Sequence, residues 1–314
     1  MIVDFLFHCQ SEKNLSAHTL KAYQLDLNQF TRFVGADKKD IDIRRIDKHK
    51  LRQYSLHLQQ TGKAKTVKRK IATLKALFNY LEFDNKIPVN PFRKMRIQIR
   101  EPLVLPGVLT LGEVETIFRM VYRAKRECED PGTYTYKTIV RDIAVLELLF
   151  ATGVRVSELC HLKKEHVDLK RKYIQVLGKG KRERIIQICS PEIITILEEC
   201  IELFHPSGSG FSYFFINRFG NRLSPQSVRF MIKRYATESN IKKSITPHMF
   251  RHTFATLLLE EGVDIRYIQQ LLGHSTITTT QIYTHISNPR QKEILSTFHP
   301  RLKISHLTEE SSRT

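Results

Sequence analysis

The stretch KYIQVLGKGKRERIIQI, residues 172–188, departs from the helical periodicity that marks most of this sequence. Apolar and polar residues alternate on both sides of the loop GKGK, and alternation around a glycine-containing turn is typical of a β-hairpin. Elsewhere apolar residues recur every three or four positions, as they do on one face of an α-helix. The sequence therefore predicts a mainly α-helical fold with a small antiparallel β-sheet.

Helices are predicted on both sides of this hairpin. Ser16 precedes a run of apolar positions and is a candidate N-cap, whereas Gly62 and Gly153 are placed to end two helices. Upstream of the hairpin, the predicted helices cover residues 16–34, 48–62, 65–83, 112–126 and 139–153. Downstream, they cover residues 191–204, 224–239, 247–261, 264–272 and 276–285.

Prolines divide the chain into two parts. Four of them lie in a short irregular region, where they remove backbone donors and interrupt helices: Pro88, Pro91, Pro102 and Pro106. The length of 314 residues also exceeds one typical domain of about 150 residues. We expect a helical N-terminal domain at 1–96, a linker at 97–107, a second domain that holds the hairpin at 108–302, and a polar C-terminal tail at 303–314.

The balance of charges indicates a polyanionic partner. Lys and Arg number 51 against 32 Asp and Glu, which gives a formal net charge of +19. Residues 1–100 alone hold 21 basic and 9 acidic side chains, an excess of 12. Excess cations on a folded surface release counterions when they meet phosphates, so a phosphate-rich partner is expected.

Other classes of protein are not supported by the sequence. Five cysteines are scattered without a CxxC pair, so neither a disulfide framework nor a zinc ribbon is indicated: Cys9, Cys128, Cys160, Cys189 and Cys200. The chain has no run of about 18 apolar residues that predicts a membrane span, and no leader sequence is evident. We expect a cytoplasmic protein with no membrane partner.

The predicted helix at 65–83 carries a dense group of cations beside its apolar stripe. Lys65, Lys68, Arg69 and Lys75 are candidate DNA-binding residues. A charge run on a helix is also typical of a solvated face, and on its own this run leaves the two interpretations equally open.

The segment TPHMFRHTF, residues 246–254, combines a helix start with basic side chains. Thr246 is a candidate N-cap and proline suits the first helical position, so His248 and Arg251 lie one turn apart on the same side of the helix. The free N–H groups of a helix N-terminus favour an anion such as phosphate. His248 and His252 also have a spacing that can hold zinc, but a metal ion would need further ligands and Arg251 would repel it.

Two more segments place basic side chains at turns. In ATGVRVSEL, Arg155 follows a glycine break, Ser157 is placed to cap the next helix, and Glu158 lies three residues beyond the arginine. Lys179 lies in the GKGK loop, where glycines allow close backbone approach. Taken singly, these are typical of a surface arginine and of a plain basic hairpin.

The stretch LLGHSTITTTQIYTHIS, residues 271–287, adds His274 at a helix junction and Tyr283 nine residues later. A tyrosine hydroxyl titrates near pH 10, so it is a poor nucleophile unless its surroundings take up charge and protons. Ile282 and Ile286 mark an apolar stripe, and on its own Tyr283 is better explained as a structural residue at the edge of that stripe.

In order along the chain, the segments RVSEL, GKG, HMFRH, LLGH and IYTH resemble the motifs of the tyrosine recombinase (phage integrase) family, most closely its Xer-type members. The N-terminal helices are similar to the family's core-binding domain, and FHPRL at 298–302 resembles the end of Xer-type chains. The stretch 120–140 is longer than the usual Xer connection. The resemblance implies a two-domain architecture, with a helical core-DNA-binding domain and a mixed α/β catalytic domain.

The resemblance also implies a role for each matching residue. Arg155 and Arg251, assisted by His274, would hold the nonbridging oxygens of the scissile phosphate, and Glu158 would support the site. Arginine suits this task because its planar fork binds two oxygens and it stays charged.

Three other residues would carry the bond exchange. Tyr283 would attack the phosphorus, Lys179 would protonate the leaving 5′ oxygen, and His248 would act in acid–base chemistry on the nucleophile side. A lysine suits proton transfer because nearby cations can lower its pKa. With the phosphate charge met by side chains, no metal and no cofactor are expected.

The implied activity is site-specific DNA recombination through a 3′-phosphotyrosyl intermediate, with strand exchange via a Holliday junction. The implied partners are double-stranded DNA with specific core sites and further protomers in a homotetramer or heterotetramer, with the segment at 290–302 docking on a neighbour. Accessory DNA-bending proteins are additional candidates. The alternatives are a catalytically silent DNA-binding regulator of the same fold and an enzyme with type IB topoisomerase-like activity.

Overall fold

The computed structural model describes residues 1–35, 42–101, 107–178, 183–206, 209–273 and 288–307, with the backbone alone at 288–292 and 305–307. The chain divides into two compact units, Met1–Val104 and Leu105–Thr314. The division falls inside the segment predicted as a linker. In the described parts of the chain, no helix is both long and apolar enough to cross a membrane.

In the described residues of the first unit, four α-helices pack around one apolar core. They are α1 (Ile2–Ser11), α2 (Ala17–Val34), α3 (Lys48–Thr61) and α4 (Ala64–Phe83), with 3₁₀ turns at Ile43–Arg45 and Pro91–Lys94. Phe30, Leu77 and Phe78 are completely buried in this core. Burying a side chain of this size contributes roughly 1.5 to 3 kcal/mol, so the apolar stripes of the helices fix how they pack.

The predicted boundaries of α2 and α3 are confirmed, whereas α1 lies outside the predicted helices. Ser16 caps α2, because its hydroxyl oxygen accepts a hydrogen bond from the Thr19 amide, and α3 ends at Gly62. Helix α1 buries Phe5 on one side and exposes Phe7 on another. Since its apolar residues are not confined to one face, it lacks the stripe by which an amphipathic helix is detected.

The second unit, where the structure describes it, is mainly helical with one small sheet. Its helices are α5 (Leu111–Arg126), α6 (Tyr134–Thr152), α7 (Val156–Cys160), α8 (Pro191–Phe204), α9 (Pro225–Glu238), α10 (Pro247–Glu260), α11 (Ile265–Leu272) and α12 (Asn288–Phe298). Short 3₁₀ segments lie at Lys164–His166 and Pro300–Leu307. Every residue from Val140 to Thr152 of α6 is buried, because α5, α8 and α10 all pack against this helix. The predicted helix at 276–285 lies outside the described residues.

The sheet contains the predicted hairpin. Strands β2 (Tyr173–Leu177) and β3 (Glu183–Gln187) pair antiparallel, with Ile174 opposite Ile186. A two-residue strand, β1 (Val167–Asp168), pairs with the other edge of β2. Strand β1 is too short for alternation to reveal it in the sequence. The prediction of a mainly α fold with a small antiparallel sheet is confirmed.

Gly153 ends α6, as the sequence predicts, and its backbone lies in the left-handed region with φ of 58°. A Cβ atom at this position would lie 2.6 Å from Leu272 Cδ2 and 2.7 Å from Phe254 Cδ1. The turn therefore requires glycine for two reasons, the backbone conformation and the close approach of α10 and α11.

The last described residues pack on their own unit. Arg301 is 2% exposed, and its Nε and Nη2 donate to the buried Glu147 carboxylate at 2.9 and 3.0 Å. Leu295 of α12 is fully buried beside Phe254. The segment at 290–302, which the resemblance places on a neighbour, thus finds apolar and charged partners within its own chain. Ile304 is 4% exposed, so the packed structure continues into the segment predicted as a polar tail.

Replacing Gly153 by alanine is expected to lower the free energy of unfolding by about 2 to 5 kcal/mol. The left-handed backbone costs a residue with a Cβ roughly 1 to 2 kcal/mol, and an extra methyl group in a packed interior costs about 1 to 3 kcal/mol. Urea unfolding followed by circular dichroism measures the change. Gly112→Ala is the matched control, since its Cβ would meet nothing within 4 Å. Equal midpoints for Gly153→Ala and the wild type would contradict this account.

Candidate active site

Arg155 lies at the N-terminus of α7 and is held by Glu158 one turn later. The Glu158 carboxylate accepts hydrogen bonds from the Arg155 backbone N–H at 3.0 Å and from its Nη1 at 2.8 Å. Ser157 does not cap this helix as expected, because α7 begins two residues earlier than that role requires and Arg155 occupies the N-cap position. Instead of a serine hydroxyl, the Glu158 carboxylate accepts the backbone N–H of Arg155 at the first turn of α7.

Arg251 lies on the first turns of α10 and is 5% exposed. Its Nη1 donates to the Gly153 carbonyl oxygen and its Nη2 to the Leu272 carbonyl oxygen, both at 2.7 Å. Thr246 occupies the N-cap position of α10, but its side chain makes no capping hydrogen bond, so that part of the expectation is wrong. Arg251 is therefore oriented by backbone carbonyls of two other segments.

The C-terminal end of α11 brings the two arginines together. Arg155 Nη2 donates to the Gly273 carbonyl oxygen at 3.3 Å, next to the Leu272 carbonyl that binds Arg251. The carbonyl groups at a helix C-terminus carry partial negative charge, which stabilises nearby cations. Two guanidinium groups, those of Arg155 and Arg251, thus meet at one turn of the chain.

A third arginine, Arg184, reaches the same turn. From β3 its Nε donates to the Leu271 carbonyl oxygen at 3.1 Å, and its Nη2 donates to Glu158 at 2.7 Å. Arg184 is not among the residues that the sequence motifs single out. A signal was present, since the two-residue alternation of the strand places Arg184 on the same side as the buried residues Ile186 and Ile188.

Burial and the neighbouring positive charges lower the pKa values of Arg251 and His248. Burial, together with the charge of Arg155, lowers the pKa of Arg251 to about 10, so Arg251 remains charged at neutral pH. Partial burial and the charges of His252, Arg251, Arg229 and Arg155 also lower the pKa of His248. A histidine with a lowered pKa is neutral at pH 7 and can accept a proton. Arg229 on α9 is a further cation near this site that the sequence analysis missed.

Glu158 is the buried anion among these cations. Burial alone would raise its pKa, but the hydrogen bonds and charges of Arg184 and Arg155 outweigh burial and lower the pKa of this carboxyl. Glu158 therefore stays ionised at neutral pH and balances part of the positive charge of the site.

The remaining predicted catalytic residues, Lys179, His274 and Tyr283, lie outside the described residues. The chain on either side of two of them is described. Strands β2 and β3 flank the loop that contains Lys179, and the turn at Gly273 immediately precedes His274.

Four candidate DNA-binding residues lie on α4 of the first unit. Lys65 and Lys75 are exposed, and Lys68 Nζ lies 3.4 Å from Glu101. Arg69 is half exposed but pairs with Asp26, a carboxylate that is 3% exposed and also accepts a hydrogen bond from Thr73. Arg69 therefore has a structural contact that the sequence analysis did not foresee.

A zinc site at His248 and His252 would need further ligands, and the described ranges offer none. There, His, Cys, Asp and Glu side chains form no group of three or more that could hold a metal ion. His248 instead lies near Arg251, Arg229 and Arg155, whose charge opposes cation binding.

Comparison with known proteins identifies the family. The model of the phage integrase family matches residues 120–290, more than half of the chain, and the model of the phage integrase N-terminal SAM-like domain matches residues 2–84. The chain belongs to the phage integrase family, the tyrosine-type site-specific DNA recombinases. The resemblance drawn from the sequence motifs is confirmed.

Relatives of the chain indicate which branch of the family it resembles. It is 44% identical over 300 residues to a tyrosine recombinase from Agathobacter rectalis, and these residues cover 96% of each chain. It is 38% identical over 309 residues to the tyrosine recombinase XerD of Listeria monocytogenes, covering 96% of this chain and 99% of that relative. The similarity is thus to Xer-type recombinases over nearly the whole length.

A solved structure supports the fold independently. A lambda integrase tetramer bound to a Holliday junction matches with a TM-score of 0.66 at 19% identity, covering 91% of this chain and 79% of that chain. At this level of identity the match concerns the fold.

Replacing Glu158 by glutamine is expected to lower the free energy of unfolding at pH 7 by about 2 to 4 kcal/mol, because it leaves Arg184, which is 14% exposed, and Arg155, which is 33% exposed, without their anion. The folded-state pKa of Glu158 is lowered, so its charge stabilises the fold above the unfolded value of 4.5, and this stabilisation is lost as the pH falls through the folded value. The difference from the wild type should therefore shrink below pH 4.5.

Urea unfolding of both proteins across this pH range measures the effect. Glu115→Gln is the matched control, because the exposed pair of Glu115 with Arg119 contributes at most about 1 kcal/mol. A difference that stays constant down to acid pH would show that the charge of Glu158 is not the stabilising feature.

Proposed function

We propose that Arg155, Arg251 and His274 bind the scissile phosphate of a DNA strand, and that Tyr283 attacks it. The proposal rests on one observation, the meeting of the Arg155 and Arg251 guanidinium groups at the adjacent carbonyls of Gly273 and Leu272. Fixed cations at one point suit a reaction in which negative charge grows on phosphate oxygens.

The size of the electrostatic interaction with the phosphate favours two arginines over one. Two opposite unit charges about 4 Å apart interact by roughly 4 kcal/mol at an effective dielectric constant of 20. Two guanidinium groups on the nonbridging oxygens could therefore lower the barrier by several kilocalories per mole, more than either one alone. The protein orients both groups beforehand, so the reaction does not include the cost of turning them toward the phosphate.

The bond exchange needs a proton acceptor and a proton donor. The Tyr283 hydroxyl oxygen attacks the phosphorus, and its proton passes to His248, which partial burial and the surrounding cations keep neutral. The bond between phosphorus and the 5′ oxygen breaks, and Lys179 gives that oxygen a proton. The products are a 3′-phosphotyrosyl ester and a free 5′ hydroxyl. Attack by the 5′ hydroxyl of another strand reverses these steps and needs neither ATP nor a metal ion.

Strand exchange requires more than one protomer. We infer that the chain acts on duplex DNA with specific core sites as a homotetramer or heterotetramer, through a Holliday junction, as in the related lambda integrase complex. The exposed cations of α4 would contact DNA phosphates. We place the protein in the cytoplasm, associated with DNA, with accessory DNA-bending proteins as possible partners.

Incubation with a nicked suicide duplex that carries the cognate core site tests the chemistry. A covalent protein–DNA band is expected for the wild type, because loss of the short 5′ fragment prevents religation. Tyr283→Phe should abolish the band, and Arg251→Ala should reduce it by at least 100-fold, the loss typical when one group that stabilises the transition state is removed.

Tyr134→Phe is the matched control, since Tyr134 is an exposed tyrosine at the start of α6. A folded wild type that binds the duplex without forming the band would favour the silent regulator. Relaxation of a supercoiled circle without recombination of paired sites would favour the topoisomerase.

Replacing Lys68 or Lys75 by alanine is expected to weaken DNA binding to a similar extent for all sequences. Each lost phosphate contact should make the slope of log K against log salt shallower by about one unit. Fluorescence anisotropy from about 50 to 200 mM salt measures the slope. Lys125→Ala is the control, because the Lys125 side chain is only 24% exposed and pairs with Glu199, whereas that of Lys68 is 48% exposed. An unchanged slope would remove Lys68 and Lys75 from the DNA interface.

A further inference from the structure

The Arg184 side chain connects three elements of the second unit. It extends from β3, its Nη1 and Nη2 donate to the two Glu158 oxygens at 3.3 and 2.7 Å, and its Nε donates to the Leu271 carbonyl at 3.1 Å. Only 14% of the side chain is exposed. These contacts are therefore internal, and Arg184 is poorly placed to contribute to the binding of a duplex.

Each of the three elements holds, flanks or precedes a residue of the proposed reaction. Glu158 on α7 holds Arg155. Strand β3 is the return strand of the hairpin whose loop contains Lys179. Leu271 lies at the end of α11, three residues before His274. One guanidinium group thus ties together the segments that carry three functional groups.

The surroundings of Arg184 leave it little freedom. The backbone at Gly273 has φ of 64°, and a Cβ there would lie 3.1 Å from Arg184 Nη1 and 3.4 Å from its Cδ. The two forked nitrogens bind one carboxylate while Nε binds a carbonyl, so the planar group is fixed along two edges. An ammonium group cannot reproduce this arrangement, because it is a point charge without a planar fork.

We propose that Arg184 is a positioning residue: it holds the Arg155–Glu158 pair, the hairpin of Lys179 and the turn before His274 in the arrangement that the attack on the phosphate requires. This rests on the proposed function and extends it to a residue that does not touch the phosphate. Loss of Arg184 should slow the chemical step and leave DNA binding nearly unchanged.

Removal of Arg184 also changes the electrostatic surroundings of Glu158. Among the residues that the structure describes, the remaining charged groups that face this carboxylate are Arg155 on α7 and Arg251 on α10. Burial continues to favour the protonated acid, so the pKa of Glu158 should rise in Arg184→Met. As the pH falls, Arg155 then loses its ionised partner. The cleavage rate of this variant should decline more steeply toward acid pH than that of the wild type.

Single-turnover formation of the covalent complex on the suicide duplex tests the proposal, with Kd measured on the same duplex. At pH 8, Arg184→Met should be slower by about 10- to 100-fold, since a shift of about 1 Å in a reacting group can cost 100-fold. At pH 6 its deficit relative to the wild type should be larger. Its Kd should stay within about threefold, because its contacts are internal. Arg184→Lys should react at an intermediate rate, and the control Arg119→Met, which alters an exposed pair, at the wild-type rate.

A double variant isolates the role of Glu158. In Glu158→Gln/Arg184→Met, position 158 carries no carboxylate that can titrate. The cleavage rate of this variant should therefore stay low, while its pH profile runs parallel to that of the wild type. A parallel profile for Arg184→Met itself, with the rate reduced only in proportion to the folded fraction from urea unfolding, would overturn the positioning role.

Two other outcomes distinguish a failure of the proposed function from a failure of the positioning role. A wild type that forms no covalent complex refutes the proposed function itself. If the wild type reacts and Arg184→Met does not fold, Arg184→Lys decides the matter, because an unchanged rate in that variant overturns the need for the planar fork.

Discussion

The turn at the end of α11 is the constraint on which the candidate site depends. Three consecutive carbonyl groups, those of Leu271, Leu272 and Gly273, each accept a hydrogen bond from a different arginine. These arginines come from β3, α10 and α7, elements that are far apart along the chain. The carbonyls at a helix C-terminus have no partner within the helix, so arginines supply the bonds that the backbone lacks. In the same contacts, the partial negative charge of the helix end offsets the repulsion among the guanidinium groups.

Such a cluster of cations is costly to bury, and the surrounding sequence limits that cost. Arg251 gives up most of its hydration, and it regains hydrogen bonds from two carbonyls, one of them on Gly153. Only glycine allows the turn at Gly153 to approach α10 and α11 closely enough. Glu158 then adds a buried carboxylate that contacts both Arg155 and Arg184. Removing one partner from such a network leaves an uncompensated charge, which is why its members depend on one another.

Local patterns predicted much of this fold, and contacts between distant segments account for what they missed. Ser16, Gly62 and Gly153 mark helix boundaries because capping depends on a few neighbouring residues. The hairpin follows from alternation. By contrast, Ser157 has the residue type of a cap but does not cap α7, because Arg155 and Glu158 form the first turn of that helix. Thr246 occupies the N-cap position of α10, but its side chain makes no capping hydrogen bond. The pairing of Arg69 with Asp26 and of Arg184 with Glu158 joins positions that only the folded chain brings together.

The way in which the arginines are held bears on how they can act. A guanidinium group has five N–H donors in a planar fork. The contacts described for Arg251 use Nη1 and Nη2, and those for Arg155 use Nη1 for Glu158 and Nη2 for Gly273. Each group is therefore oriented by the protein while part of its donor capacity remains. A phosphate that bound there would meet donors whose direction is already fixed, so it need not break the bonds that hold them. Preorganisation of this kind lowers a barrier only if the holding groups stay in place during the reaction. Carbonyls at the end of a packed helix and a nearly buried carboxylate meet that condition, because the core beneath α11 holds them.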